Sequence, residues 1–132
     1  MAIKFSVHER KNPRDTNAPQ KFYPVARSSG YVNLKQISGR IAEMSTVNTG
    51  DVLAVLDLLI QVMKSELSRG NTCKLGDFGS FFVKLHTEGS ESVQEVNASN
   101  VKQARLRFRP GADLNDTLRN LRYEKLPDTP AA

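Results

Sequence analysis

The sequence predicts an α+β fold: two N-terminal helices, a small antiparallel sheet carrying a β-arm hairpin, and a short C-terminal helix, assembled as an intertwined dimer. Three observations predict it. A helix-period stretch from Gly50 to about Arg69 is apolar around most of its circumference. Two later stretches, Ser80 to His86 and Val101 to Arg109, alternate with the period of two of a sheet with one buried face. A polar segment between them, TEGSES around Gly89, reads as a hairpin tip.

Taken in order, the chain opens with Ile3, Phe5 and Val7 alternating with Lys4, Ser6, His8 and Arg10, the pattern of a strand. Lys11 to Gln20 is a loop rich in turn formers, and Phe22-Tyr23-Pro24 leads into a second extended piece that ends at Ser28-Ser29-Gly30. Residues 1–32 thus form an N-terminal extension. It is either a β-hairpin packed on the domain or a basic arm that orders on a partner, and alternation would be wasted on a disordered arm. The main domain is expected over residues 33–124, and residues 125–132, with two prolines, as a flexible tail.

Asn33, followed by Gln36, caps a first helix whose apolar face is Leu34, Ile37, Ile41 and Met44. Thr49 is expected to cap the second, and Gly70 to close it. On that helix Asp57, Gln61, Lys64, Ser65 and Ser68 occupy a narrow polar stripe, read as a solvated face; Val52, Leu56, Leu59, Met63 and other apolar residues fill the rest. So much apolar surface needs cover on several sides, more than one helix and one small sheet supply, so a homodimer is expected in preference to a monomeric core.

Gly76 and Gly79 bracket Asp77 and Phe78 in a tight turn. From Ser80, Phe81, Val83 and Leu85 point one way and Phe82, Lys84 and His86 the other. In the partner stretch Ala104, Leu106 and Phe108 share one parity; Gln103, Arg105, Arg107 and Arg109 share the other. The return strand is expected to begin near Val93, broken at Asn97 to Asn100. Beyond Pro110-Gly111, Asp113 is expected to cap a third helix with Leu114, Leu118 and Leu121 as its apolar stripe.

Charge is unevenly spread. The chain of 132 residues has net charge +5 and a pI near 9.6. Residues 1–33 hold 6 Lys or Arg against 2 Asp or Glu, and residues 101–112 hold 4 against none. Two basic segments favour an acidic partner over diffuse solubility charge. Cys73 is the only cysteine and the two histidines are far apart, so neither an internal disulfide nor a zinc site is expected. Cys73 reads as a small core residue. No nucleophile motif or phosphate loop occurs, which argues against an enzyme. No stretch suits a bilayer, and MAIKFSVHERK lacks an apolar signal core, so the expected location is the cytoplasm.

LGDFGSFFV at the turn and RFRPG before the last helix resemble the HU/IHF family of bacterial histone-like DNA-binding proteins. That family carries a G-F-G-x-F-x-V type turn and a K-F-x-P-G type segment in the same places; here the equivalents are Gly76, Phe78, Gly79, Phe81 and Val83, then Arg107, Phe108, Pro110 and Gly111. The resemblance covers about Asn33 to Leu121, and the extension looks like that of a divergent HU-related subgroup. It implies a homodimeric saddle under double-stranded DNA with two arms in the minor groove: architectural binding of low sequence specificity in the bacterial nucleoid. The candidate DNA-binding residues are Phe82, Lys84, His86, Lys102, Gln103, Arg105, Arg107 and Arg109, with no cofactor, metal, membrane or small-molecule substrate expected. The arm departs from the family. No R-N-P-x-T-G type motif lies between Lys84 and Arg105, where Glu88, Glu91 and Glu95 stand instead, so binding through phosphates is expected rather than proline intercalation. Arg10-Lys11-Asn12-Pro13 is similar to that motif but lies in the extension. Alternatives are an HU-fold scaffold whose acidic arm docks a basic protein, and selective recognition of bent, nicked or structured nucleic acid.

Overall fold

The computed structural model describes residues 1–127, which form two compact units, one of residues 34–118 and one of residues 1–33 with 119–127. In chain order the elements are β1 (Ile3–Arg10), β2 (Lys21–Arg27), α1 (Leu34–Glu43), α2 (Thr49–Ser68), β3 (Cys73–Lys74), β4 (Gly79–Thr87), β5 (Val101–Pro110), α3 (Ala112–Arg119) and β6 (Tyr123–Lys125). The architecture is mixed α+β, with two three-stranded sheets ordered β2-β1-β6 and β3-β4-β5.

The extension is a hairpin. β1 and β2 pair antiparallel from Lys4 opposite Arg27 to Arg10 opposite Lys21. Pro24 is tolerated because β2 is an edge strand, where a missing N–H need not break a ladder. The sequence reading begins the loose tail at Lys125, and the structure differs. Tyr123 to Lys125 pair in parallel with Ile3 to Phe5, and the Ile3 N–H to Arg122 carbonyl and Leu126 N–H to Phe5 carbonyl bonds, both 2.8 Å, bracket the strand. Residues 128–132 of that tail lie outside the described residues.

In the other unit α1 begins directly after Asn33, as the cap-like sequence implies, and packs on α2. Ser38 is fully enclosed, and its hydroxyl donates to the Leu34 carbonyl at 2.8 Å, so its burial leaves no donor unmatched. The cap of α2 is Asn48 rather than Thr49. The Asn48 Oδ1 accepts the Asp51 N–H at 2.8 Å while its amide donates to Asp51 Oδ2 at 2.9 Å. An amide one residue upstream reaches the third N–H of the helix, and Thr49 becomes its first turn. At the other end Gly70 takes φ 85°, its N–H reaching Leu67 O and the Asn71 N–H reaching Glu66 O, both at 3.0 Å. These two bonds make a Schellman motif and satisfy carbonyls that the helix leaves open.

β4 pairs antiparallel with both β3 and β5. The return strand does not begin at Val93. Short 3-10 turns occupy Val93–Glu95 and Ala98–Asn100, and β5 starts at Val101. α3 begins at Ala112, with the Gly111 carbonyl accepting the Asn115 N–H at 3.0 Å; Asp113 therefore sits inside the first turn, where its charge faces the positive end of the helix dipole. Leu121 lies past the end of that helix.

Candidate nucleic-acid interface

The β4–β5 pair is aimed by a backbone junction. After the 3-10 turn Gly76–Phe78, Gly79 takes φ 138° and its carbonyl accepts the Leu75 N–H at 2.8 Å. The Gly111 N–H donates to Phe78 O at 3.1 Å, so the start of β4 is stitched to the end of β5. A Cβ on Gly79 would collide with the Arg109 carbonyl and the Phe108 ring, and one on Gly111 would collide with the Asp77 backbone. Glycine is required here for space at both positions and for positive φ at the first. Phe78, Phe81 and Phe108 fill the junction with ring centroids 4.8 to 6.1 Å apart.

From this anchor the register fixes which side chains share a face, since directly opposed residues of an antiparallel pair lie on the same side. Phe81 opposes Phe108, Val83 opposes Leu106 and Leu85 opposes Ala104, giving the apolar face. The other face has Ser80 opposite Arg109, Phe82 opposite Arg107, Lys84 opposite Arg105 and His86 opposite Gln103. Seven of the eight candidate residues are thereby brought together. Arg105, Arg107 and Arg109 succeed one another at about 6.8 Å along the strand, close to the axial rise of two base pairs, about 3.4 Å each. Such a row can address phosphates along a duplex backbone.

Lys102 is the exception. The register slips between His86 and Thr87, so that Thr87 opposes Val101 and Lys102 is the extra residue of a bulge. Its ammonium lies 3.2 Å from Glu88 Oε2. The pair is solvent-exposed and worth at most about 1 kcal/mol to the fold; its larger effect is to cancel the charge of Lys102. No alternation pattern reveals a bulge, and the slip is visible only in the register.

Two features prepare the remaining cations. The Arg109 guanidinium lies over the Phe82 ring, 5.5 Å from its centroid, so half-buried Phe82 is a platform that holds an arginine and leaves its edge N–H groups to solvent. Lys84 and Arg105 are like charges on one rung, an arrangement that destabilises a sheet by about 0.2–1 kcal/mol. Lys84→Glu converts that rung into an opposite-charge pair. The variant should melt at a slightly higher temperature in low salt, and, where this face meets a polyanion, bind duplex DNA several-fold more weakly. Parallel thermal melts and binding titrations check the opposed signs.

Among the described residues no group of His, Cys, Asp or Glu is placed to hold a metal ion, and no helix is long and apolar enough to cross a membrane. His86 stands at the last regular rung beside the bulge, facing Gln103.

No curated protein matches the chain in sequence. Among solved structures it is similar to a crystal structure from Bacteroides vulgatus ATCC 8482 described as a "Putative bacterial DNA binding protein", with a TM-score of 0.67 at 13% identity. The match covers 98% of this chain and 50% of that one, so the present chain spans half the length of its structural neighbour. At that identity the likeness is one of fold. A sequence family described as an HU domain fused to wHTH, Ig or glycine-rich motifs matches residues 1–125, and with the turn and the basic strand in place, the chain belongs to this HU-HIG family.

Proposed function

We propose that the protein is an architectural, non-enzymatic DNA-binding protein that grips duplex DNA through phosphates with little sequence preference, acts as a homodimer, and works in the bacterial nucleoid. The observation that carries the reading is the uninterrupted face of Lys84, Arg105, Arg107 and Arg109, exposed, aligned rung by rung and free of carboxylates. Family membership and the DNA-binding description of the structural neighbour point the same way. Binding of this kind is driven by release of condensed counterions and falls steeply with salt.

The homodimer rests on what one chain leaves uncovered. Among the described residues Val52 is the only hydrophobic one in the buried class, at 7% exposure, while Leu58 and Val62 of α2 remain 56% and 58% exposed. The apolar face of β4–β5 is also open, with Leu106 at 58%. A second copy would bury these surfaces and bring two basic faces into one saddle.

An Arg105→Ala/Arg107→Ala variant tests the reading. In a dimer it removes four phosphate contacts, and the slope of log K against log salt should fall by about 3.6, at about 0.9 per contact. Affinity should drop on every duplex sequence alike. A slope equal to the parent's moves the interface elsewhere. Loss of duplex binding altogether in the parent protein would favour the scaffold reading, in which the acidic connection carrying Glu88, Glu91 and Glu95 docks a basic protein.

A further inference from the structure

The extension carries a second basic face. In the β1–β2 register Lys4 opposes Arg27, His8 opposes Tyr23 and Arg10 opposes Lys21, so all six side chains share one face. The reverse face carries Ile3, Phe5, Val7, Phe22 and Pro24 around an apolar hollow. The sheet is therefore amphipathic, with its cations gathered on one side and its apolar side chains on the other.

Three details set this face apart from a solvated surface. Both end rungs, Lys4 with Arg27 and Arg10 with Lys21, are like-charge pairs, which a hairpin selected for stability alone would avoid. Its arginines are held in place. Arg27 donates from Nε to Ser6 Oγ at 2.7 Å and from an Nη to His8 Nε2 at 2.7 Å; because a guanidinium only donates, His8 accepts there. Arg10 lies over the Tyr23 ring at 5.8 Å, the counterpart of Arg109 over Phe82. At the loop end, Arg10, Lys11, Lys21 and Tyr23 line a hollow open to solvent. The one carboxylate in register with this face is Glu124, opposite Lys4 on β6. No ion pair engages Lys4, Arg10 or Lys21 among the described residues.

We infer that this β1–β2 face is a second binding surface for the phosphate backbone of duplex DNA, additional to the β4–β5 face. The inference rests on the duplex-binding reading, but on different residues. Cations at both ends of each strand, six residues or about 20 Å apart, with Arg10 supported by an aromatic ring and Arg27 held by hydrogen bonds, can span several phosphates of a polyanion, which suits them better than a single acidic side chain would. The loop hollow would seat one phosphate between Arg10, Lys11 and Lys21.

The test is a salt titration of the full chain on a random-sequence duplex with the variant Lys4→Gln/Arg10→Gln/Lys21→Gln, alongside Arg105→Ala/Arg107→Ala. Arg27 is left intact because it is tied into the hairpin. The glutamine variant should reduce the slope of log K against log salt by about 2.7 per chain, at about 0.9 per contact. Lys4→Arg/Lys21→Arg should keep the parent slope, which a mere disturbance of the hairpin would not explain. The two variants report separately. If only the glutamine variant changes the slope, the β4–β5 reading fails and this one holds. If only the alanine variant does, this inference is overturned while the β4–β5 reading stands. Binding of a poly-glutamate peptide that the glutamine variant abolishes, with the duplex slope unchanged, would also overturn it and assign the face to an acidic protein. A parent that binds no duplex overturns both.

Discussion

Gly79→Ala is expected to cost roughly 3 kcal/mol or more, combining backbone strain of about 1–3 kcal/mol with overpacking of about 1–3 kcal/mol. The added methyl would meet the Arg109 carbonyl and come within 2.7 Å of Phe108 Cε2 and 3.0 Å of Gly111 N, at a residue already holding φ 138°. Two of these three neighbours are backbone, so no side-chain rotation relieves the contact. In a chain of this size the melting temperature should fall by the order of 10 °C, read by circular dichroism. Gly76 is the control. It also has positive φ, 58°, but nothing lies within 4 Å of its missing Cβ. Asn tolerates that region, so Gly76→Asn should cost well under half as much. Equal losses at the two sites would mean that the junction yields and does not aim β4.

Leu58→Glu in α2 separates dimer from monomer by the sign and size of one number. If Leu58 stays 56% exposed in solution, as in a lone chain, a charge there changes stability by about 0.5 kcal/mol or less. If a second copy covers it, the carboxylate is buried without a partner. The expected result is then loss of the dimer, with several kcal/mol of destabilisation. Sedimentation equilibrium with a parallel denaturant melt reads both. Asp57→Asn, on the polar stripe one residue away, should leave mass and melting unchanged.

The sequence made much of this legible because period and parity are local. The parity of Phe81, Val83 and Leu85 against Lys84 and His86, and of Arg105, Arg107 and Arg109 against Leu106 and Phe108, survives unchanged in the register. Gly70 and the two glycines about Phe78 were readable for the same reason, since each answers a requirement of its own backbone. What escaped was set by competition or distance. Asn48 and Thr49 are adjacent and both able to cap; the Asn48 to Asp51 spacing decides between them, and it is visible in the sequence once reciprocal bonding to an aspartate is considered. Gly111 in place of Asp113 before α3 depends on where β5 releases the chain. β6 is three residues long, too short for alternation to show, and its partner β1 lies at the far end of the sequence. The bulge at Lys102 shifts parity without leaving a mark in composition.

The connection between β4 and β5 is tied to itself. Asn100 donates from its side-chain amide to Glu88 O at 3.0 Å and Ser90 Oγ at 2.8 Å, accepts the Asn97 N–H at 2.9 Å, and its carbonyl receives the Glu88 N–H at 2.9 Å. A segment pinned in this way does not pass from coil to ordered on meeting a partner, so the ordering penalty of about 2–5 kcal/mol that accompanies coupled folding is absent from its association. Complex formation is then a docking of preformed surfaces. On the duplex-binding reading proposed above, the heat-capacity change of association should scale with the contact area alone, and the on-rate should be governed by the field of the arginine row rather than by a search among loop conformations.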